Sequence, residues 1–233
     1  MAQALSEWGL AGMAALRDRV AALVVVDVLS FSTAVDIAVS RGAWIYPFPY
    51  DQPDQGAAEA AWLGAVPAGK RSDGGYSLSP TSLLAVPPGL RLMLPSPNGS
   101  ALSLAGGAVP VLAGCLRNAA AVAEAARRIA GGGDIGVVPA GERWPDGSLR
   151  PAIEDLLGAG AVLHHLDLPC SPEAEIARDA YRAAGSALAR LIRDSVTGRE
   201  LIGGGFAADV DLAVELAVSN TAPLLMEGAY RAG

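Results

Sequence analysis

Residues 22–42 read ALVVVDVLSFSTAVDIAVSRG, and this stretch decides the fold. Its opening, Leu23-Val24-Val25-Val26, is an unbroken aliphatic run, the pattern of a strand buried on both faces of a parallel sheet. Asp27 ends the run, and from Val35 through Ile37, Ala38 and Val39 the apolar spacing becomes helical. Ser30, Ser32 and Thr33 fall at the change of period, where a side-chain oxygen caps a helix start. In open α/β sheets ligands gather beyond the carboxyl ends of strands, against helix-start N–H groups and their partial positive charge. A carboxylate, hydroxyls and such amides in one turn can hold a metal and a phosphate together. The same residue types are also favoured at helix starts on structural grounds alone, and for this turn in isolation that is the leading account.

Working outward, strand and helix patterns alternate along the chain. A lead-in with a short helix (1–19) precedes the central strand. Residues 43–48 read as a strand, and 51–64 as an Ala-rich helix burying Trp62 and Leu63. A Gly-rich loop follows, carrying Lys70, the only lysine. Residues 89–94 form a third strand ending in Pro95-Ser96-Pro97-Asn98-Gly99-Ser100, where Asn-Gly suits a hairpin and an anion-binding turn equally. A short helix at 101–105, a strand at 108–112, a helix at 119–130 and a strand at 134–138 come next. Residues 139–150 read as a long loop, Pro151 as a first-turn proline, and Glu154-Asp155 as acids favoured by the helix dipole. Residues 173–193 read as an amphipathic helix in two pieces around Gly185, 197–201 as a turn, 206–218 as a last helix and 221–226 as an edge strand. The alternation predicts α/β: a three-layer α/β/α arrangement around a largely parallel or mixed sheet, in a single domain spanning 1–233.

Composition bounds the function. A formal charge of −7, from 24 acidic and 17 basic residues, argues against a nucleic-acid partner, whose backbone is gripped by clustered cations. Although 52% of residues are hydrophobic, no uncharged run is long enough to span a membrane. A soluble cytoplasmic protein is expected, and the apolar content favours a homodimer. Cys115 and Cys170 are too few for a disulfide framework and are expected to be reduced.

Several familiar sites are missing. There is no G-x-x-x-x-G-K-[ST], no G-x-G-x-x-G after a strand and no G-x-S-x-G. His164 and His165 are adjacent, so on a helix they diverge by about 100° and do not share a metal. What remains is oxygen chemistry at strand ends: Asp27, Ser30, Ser32, Thr33, Asn98, Gly99, Ser100, Glu142, Arg143, Glu154 and Asp155. Hard oxygen ligands suit Mg²⁺, which binds through one or two carboxylates and keeps waters and phosphate oxygens. Phosphoryl transfer follows, with attack by an Asp carboxylate or by a metal-bound water.

The blocks VVVDVLSFSTAVDIAVSRGA, LPSPNGSAL, CLRNAAAVA, PAGERWPDGSLRPAIEDLLGAGAVL and TGRELIGGGF through AADV resemble, in order, those of the 2-phosphosulfolactate phosphatase family, from about Leu23 to about Pro223. The resemblance implies that family's α/β fold, dependence on Mg²⁺, and hydrolysis of 2-phospho-3-sulfolactate to 3-sulfolactate and phosphate. Its D-V-L block falls on Asp27, its N-G-[ST] block on Asn98, Gly99 and Ser100, its x-N-A block on Asn118, and its E-D block on Glu154 and Asp155. Asp27, Glu154 and Asp155 are thereby the expected catalytic and metal-holding residues. There are departures. Ser30 stands where the family commonly has Arg, the loop from Lys70 to Ser79 is shorter and lacks an Asn before Ser-Pro, and Ala217 stands where an Asp is usual. Arg143, Arg150 or Arg117 is expected to replace the missing cation, since a guanidinium holds oxyanions bidentately. The expected activity is a Mg²⁺-dependent phosphatase on a small anionic phosphomonoester; the alternative is a non-catalytic protein that binds a small anion on the same fold.

Overall fold

The computed structural model describes the backbone of residues 1–233 and all side chains except those of Pro53 and Asp54. The amino-terminal half contains β1 (Ala4–Ser6), α1 (Gly9–Leu16), β2 (Ala22–Val26), α2 (Phe31–Ser40), β3 (Trp44–Pro49), α3 (Pro53–Leu63), β4 (Val66–Pro67), β5 (Arg91–Ser96) and α4 (Gly99–Ala105). The chain continues through β6 (Val111–Gly114), α5 (Ala119–Ala130), β7 (Ile135–Pro139), β8 (Glu142–Arg143), β9 (Leu149–Arg150) and α6 (Ile153–Leu166). It ends with α7 (Pro172–Ala184), α8 (Leu188–Arg193), α9 (Val196–Gly203), α10 (Ala207–Ala213), β10 (Pro223–Met226) and β11 (Ala229–Ala232).

Nine strands form one mixed sheet in the order β1-β7-β2-β6-β10-β11-β3-β5-β4. β2 sits centrally, parallel to both β6 and β7, and all five of its residues are buried. Successive side chains point to opposite faces. Leu23 and Val25 accordingly join Phe31, Val35, Leu94 and Leu102 in one core, while Val24 and Val26 join Val122, Leu157 and Val162 in the other. α1, α2 and α4 cover the first face; α5 and α6, with α7 packed outside α6, cover the second. The three-layer α/β/α expectation holds.

The parallel order is broken by the β10–β11 hairpin, which pairs antiparallel with β6 on one side and β3 on the other. The block β1-β7-β2-β6 therefore runs opposite to the block β3-β5-β4. β2 and β5 are five strands apart, which in a flat sheet is about 24 Å. Yet Gly99, three residues past β5, donates its N–H to Asp27, one residue past β2, at 2.9 Å. Twist of roughly 20–25° per strand accumulates to about 100–125° over five steps and coils the sheet, so that the carboxyl ends of the opposed blocks meet. α2 fills the resulting hollow, packing on β6, β10, β11 and β3 with every residue but Ser40 buried.

Several local expectations are corrected. Asn98-Gly99 starts α4 rather than turning a hairpin. The 139–150 loop contains the small hairpin β8–β9, the lead-in contributes β1, and Pro151 lies just outside α6. Residues 197–201 belong to helix α9, whose start is capped by the Ser195 hydroxyl accepting from Gly198 N–H; tertiary packing there overrides the weak propensity of Thr and Gly. The last helix stops at Ala213, after which Ala217 and Ser219 donate N–H groups to the carbonyls of Leu116 and Arg117. The 221–226 segment is an interior strand, because the unforeseen β11 follows it. Trp62 is 83% exposed, since α3 buries its small residues Gly56 and Ala60 instead.

Arg117 is a structural group and not the missing cation. Its Nε donates to Asp36, which is fully buried, at 3.0 Å, and its Nη1 serves Glu215 and the Leu212 carbonyl. Ser219 completes the cage, donating to Asp36 at 2.6 Å. Removing the cation strands a buried carboxylate. Arg117→Leu is expected to lower unfolding free energy by about 3 to 5 kcal/mol, read as a drop in the urea midpoint at unchanged slope; a loss within experimental error would show the ion pair to be dispensable.

Candidate active site

Asp27 and Asp155 tie three strand ends together. At the end of β2, Asp27 accepts Phe31 N–H at 3.1 Å on Oδ1 and Gly99 N–H at 2.9 Å on Oδ2. Only glycine fits at 99, because a Cβ there would lie 2.3 Å from the Phe31 ring. From the first turn of α6, Asp155 accepts Val28 N–H and, past the end of β7, Gly141 N–H, each at 2.8 Å. Every oxygen of the two carboxylates thus has one backbone donor and keeps a lone pair for a further partner.

Two more acids complete the cluster. Glu154 is 2% exposed, and its carboxylate accepts no hydrogen bond among the described residues. Glu142, from β8, accepts the Asn98 side-chain amide at 2.9 Å. Burial first, then the Glu154 charge, pushes Asp27 up to about 6, against the Phe31 and Gly99 amides and the Arg71 guanidinium. Burial, then Asp27, pushes Glu142 up to about 7 against the Asn98 amide and Arg150. Asp155 is raised well above the usual carboxylate range by burial, Asp27 and Glu154. Asp27, Asp155 and Glu142, raised by burial and by the charges around them, line one space with Glu154 and make it strongly acidic. Among the described residues no three His, Cys, Asp or Glu side chains converge into a ready metal cage. That spacing fits an ion that takes few protein ligands and fills its shell with water and substrate oxygens, as Mg²⁺ does. Beside Asn98 and Glu142 opens a cleft of about 170 Å³, lined also by Trp8, Leu10, Leu102 and Leu149.

The other expected site residues divide. Ser32 accepts Asp27 N–H and donates to the Val25 carbonyl, Thr33 donates to Val28, and Ser100 to Leu94, so these fully buried hydroxyls close their own turns. Asn118 is likewise committed, accepting Cys115 N–H and donating to the Ala113 carbonyl. Arg143 is exposed and reaches only the Pro97 carbonyl. Arg150 lies nearer: it donates to Thr197 at 3.3 Å, sits over the Trp144 ring and acts on Glu142. Two residues escaped sequence reasoning. Arg71, from the Gly-rich loop, donates to the Ser30 hydroxyl at 2.9 Å and to Asp209 of α10. The available signal was a lone Asp between apolar residues, Ala208-Asp209-Val210, which calls for a buried partner.

The profile of the 2-phosphosulpholactate phosphatase family matches residues 12–228. The chain belongs to that family. It is similar to the 2-phosphosulfolactate phosphatase of Methanothermobacter thermautotrophicus, 30% identical over 212 residues that cover 88% of this chain and 87% of that protein. The matched span takes in every family block named from the sequence, and with them Asp27, Asn98, Glu142, Glu154 and Asp155.

Asp27 and Glu142 ionise at greater cost in the folded chain than in the unfolded one, so both favour the folded state most when protonated. Their contribution is lost as pH rises from about 4, near the unfolded values, to about 6 and 7. In EDTA, Asp27→Asn and Glu142→Gln should therefore gain stability relative to wild type between pH 4 and 7, by about 1 to 3 kcal/mol each, followed by thermal melts. A difference that stays flat or reverses across that window refutes the assignment.

Proposed function

We propose that the protein is a Mg²⁺-dependent phosphoric monoester hydrolase that converts 2-phospho-3-sulfolactate to 3-sulfolactate and phosphate. One observation carries the reading on this family framework: Glu154, buried and without a hydrogen-bond donor, stands among Asp27, Asp155 and Glu142. The Glu154 oxygens are not sealed, so they face space that a cation and its waters can enter. One or two of Glu154, Asp27 and Asp155 would hold the cation, with water and substrate oxygens completing its shell. Bound there, Mg²⁺ would supply Lewis-acid polarisation of the phosphate oxygens.

The chain's own groups supply the rest. Asp27 is locked by two amides, so its carboxylate keeps a fixed direction toward the reacting phosphorus. Glu142, raised to about 7, holds a proton near neutral pH. As a water oxygen bonds to phosphorus and the ester P–O bond breaks, the water's proton passes to the Asp27 carboxylate and the departing alkoxide takes the Glu142 proton, which a carboxyl fixed by Asn98 at the lip of the cleft is placed to give. The reading keeps the expectation of one domain acting on a small molecule as a cytoplasmic homodimer, without nucleic-acid or membrane partners; among the described residues no helix is long and apolar enough to cross a membrane.

Phosphate release across a panel of esters that includes 2-phospho-3-sulfolactate tests the proposal. Release is expected with Mg²⁺, none with EDTA; Asp27→Asn should abolish it, and Glu142→Gln should lower kcat by about 10²-fold or more. Metal-independent release, or none from any ester, rejects the proposal, and stabilisation by phosphate without hydrolysis would identify a small-anion-binding protein instead.

A further inference from the structure

The departure at Ser30 takes away a cation from the turn beside Asp27, and the coiled sheet brings another to the same place from a distant segment. Arg71 lies in a short 3₁₀ turn, residues 71–73, beyond β4. Its Nη2 donates to the Ser30 hydroxyl at 2.9 Å, its Nη1 pairs with Asp209, and its guanidinium lies 5.3 Å from the centre of the Phe206 ring. These contacts come from two separate parts of the chain, the turn after β2 and the start of α10, and fix a side chain that is only 18% exposed. Asp209 is itself braced by other donors. Its Oδ1 accepts the hydroxyls of Ser79 and Thr81, each at 2.6 Å, and Thr81 N–H at 3.1 Å, so its charge is shared and Arg71 is left only partly neutralised.

A guanidinium carries five N–H donors in a planar fork. Two are used here, and three have no partner among the described residues. The Arg71 Nε, which has no partner among the described residues, is not a sealed atom and so reaches accessible space. The position is informative too. The cation that acts on Asp27 is Arg71, whereas the one that acts on Glu142 is Arg150. The two guanidinium groups flank different members of the carboxylate cluster. A ligand with anionic groups on separate carbons would need cations arranged in that way, because one guanidinium cannot chelate both ends.

We propose that Arg71 binds the second anionic group of the substrate, the carboxylate or sulfonate of its acid half, and so sets specificity, with Asp209 as its positioning residue. The proposal rests on the phosphatase reading for its substrate. The free fork matches two oxygens of a carboxylate or sulfonate bidentately. Anchoring on Ser30, three residues past Asp27, puts the fork on the turn that carries the ester site's carboxylate. Asp209 and Phe206 hold the guanidinium flat and prevent it from collapsing onto the Asp27 carboxylate.

Two measurements test it. The first is steady-state phosphate release by wild type, Arg71→Gln, Arg71→Lys and Asp209→Asn, on 2-phospho-3-sulfolactate and on phenyl phosphate, which has no second acid. Arg71→Gln should raise KM for the former by about 10- to 100-fold more than KM for phenyl phosphate, while the lost charge beside Asp27 changes kcat for both esters alike. Arg71→Lys, which keeps the charge, should recover part of the loss, and Asp209→Asn should raise the same KM alone. An equal rise in KM for both esters would make Arg71 a phosphate ligand and overturn the proposal, as would no rise for either. The second measurement does not depend on turnover: calorimetric binding of 3-sulfolactate, the acid half without phosphate, to folded wild type and to Arg71→Lys and Arg71→Gln. Binding by wild type that weakens in Arg71→Gln is expected. If no ester is hydrolysed but this pattern holds, the phosphatase reading falls and Arg71 stands as an anion receptor; binding that is absent in wild type, or unchanged in Arg71→Gln, overturns the proposal.

Discussion

The site depends on two carboxylates used as knots. Asp27 accepts N–H groups from its own turn and from Gly99, 72 residues away, and Asp155 accepts them from Gly141 and from Val28, 127 residues away. Each bond from a backbone N–H to a charged carboxylate is worth roughly 1.5 to 3 kcal/mol, and all four are buried. The arrangement is demanding in both directions. The turn after β2 is tied to those after β5 and β7 through these carboxylates, and the carboxylates would be prohibitively costly to bury without those amides. The hydroxyls of Ser32, Thr33 and Ser100 then make each turn rigid before the knots are tied.

This explains how the fold tolerates so much negative charge in one place. Asp155 and Glu154 occupy the first turn of α6, where the helix dipole favours carboxylates by about 0.3 to 1 kcal/mol. That gain is far smaller than the cost of placing Glu154 beside Asp27 with no donor of its own. An acid cluster left undercompensated by the chain is a poor device for stability, and its value lies in what it attracts. The contrast with Asp36 is direct. That carboxylate is equally buried, but one of its two donors is a cation, Arg117, beside the Ser219 hydroxyl, so its charge is compensated within the chain and it holds the segment after α10 in place.

Much of this was legible in residues 22–42. An aliphatic run, one acid and a change to helical spacing specify a central strand and a buried helix whatever follows, because both faces of such a strand must be covered. The Glu154-Asp155 pair was equally visible, and its family blocks run in order along the chain. Other features were hidden for physical reasons. Ser32, Thr33 and Ser100 have the composition of an anion-binding turn, but a hydroxyl pointed at its own preceding carbonyl looks the same in sequence as one pointed at a ligand. The strand at 221–226 was expected at an edge, and β11 escaped notice because a four-residue strand carries little periodic signal; the place of the hairpin is set by the edges of β6 and β3 that it pairs with. Arg71 was concealed most deeply. Its partner Asp209 lies 138 residues further on, and no local pattern links them.

The same hairpin shows why the pocket forms at all. With one continuous parallel sheet, the turns after β2 and β5 would leave the same edge side by side but far apart, about 24 Å at five strand spacings. Inserting two antiparallel strands reverses the second block and adds twist, and antiparallel ribbons accept strong twist readily. The sheet can then curl around α2 until Asp27 meets Gly99. Asn98 and Gly99 come from one block, and Asp27, Glu142, Glu154 and Asp155 are carried by the other, so neither block holds the cluster alone. The last eleven residues, far in sequence from any acid of the site, thereby fix the distance between its two halves.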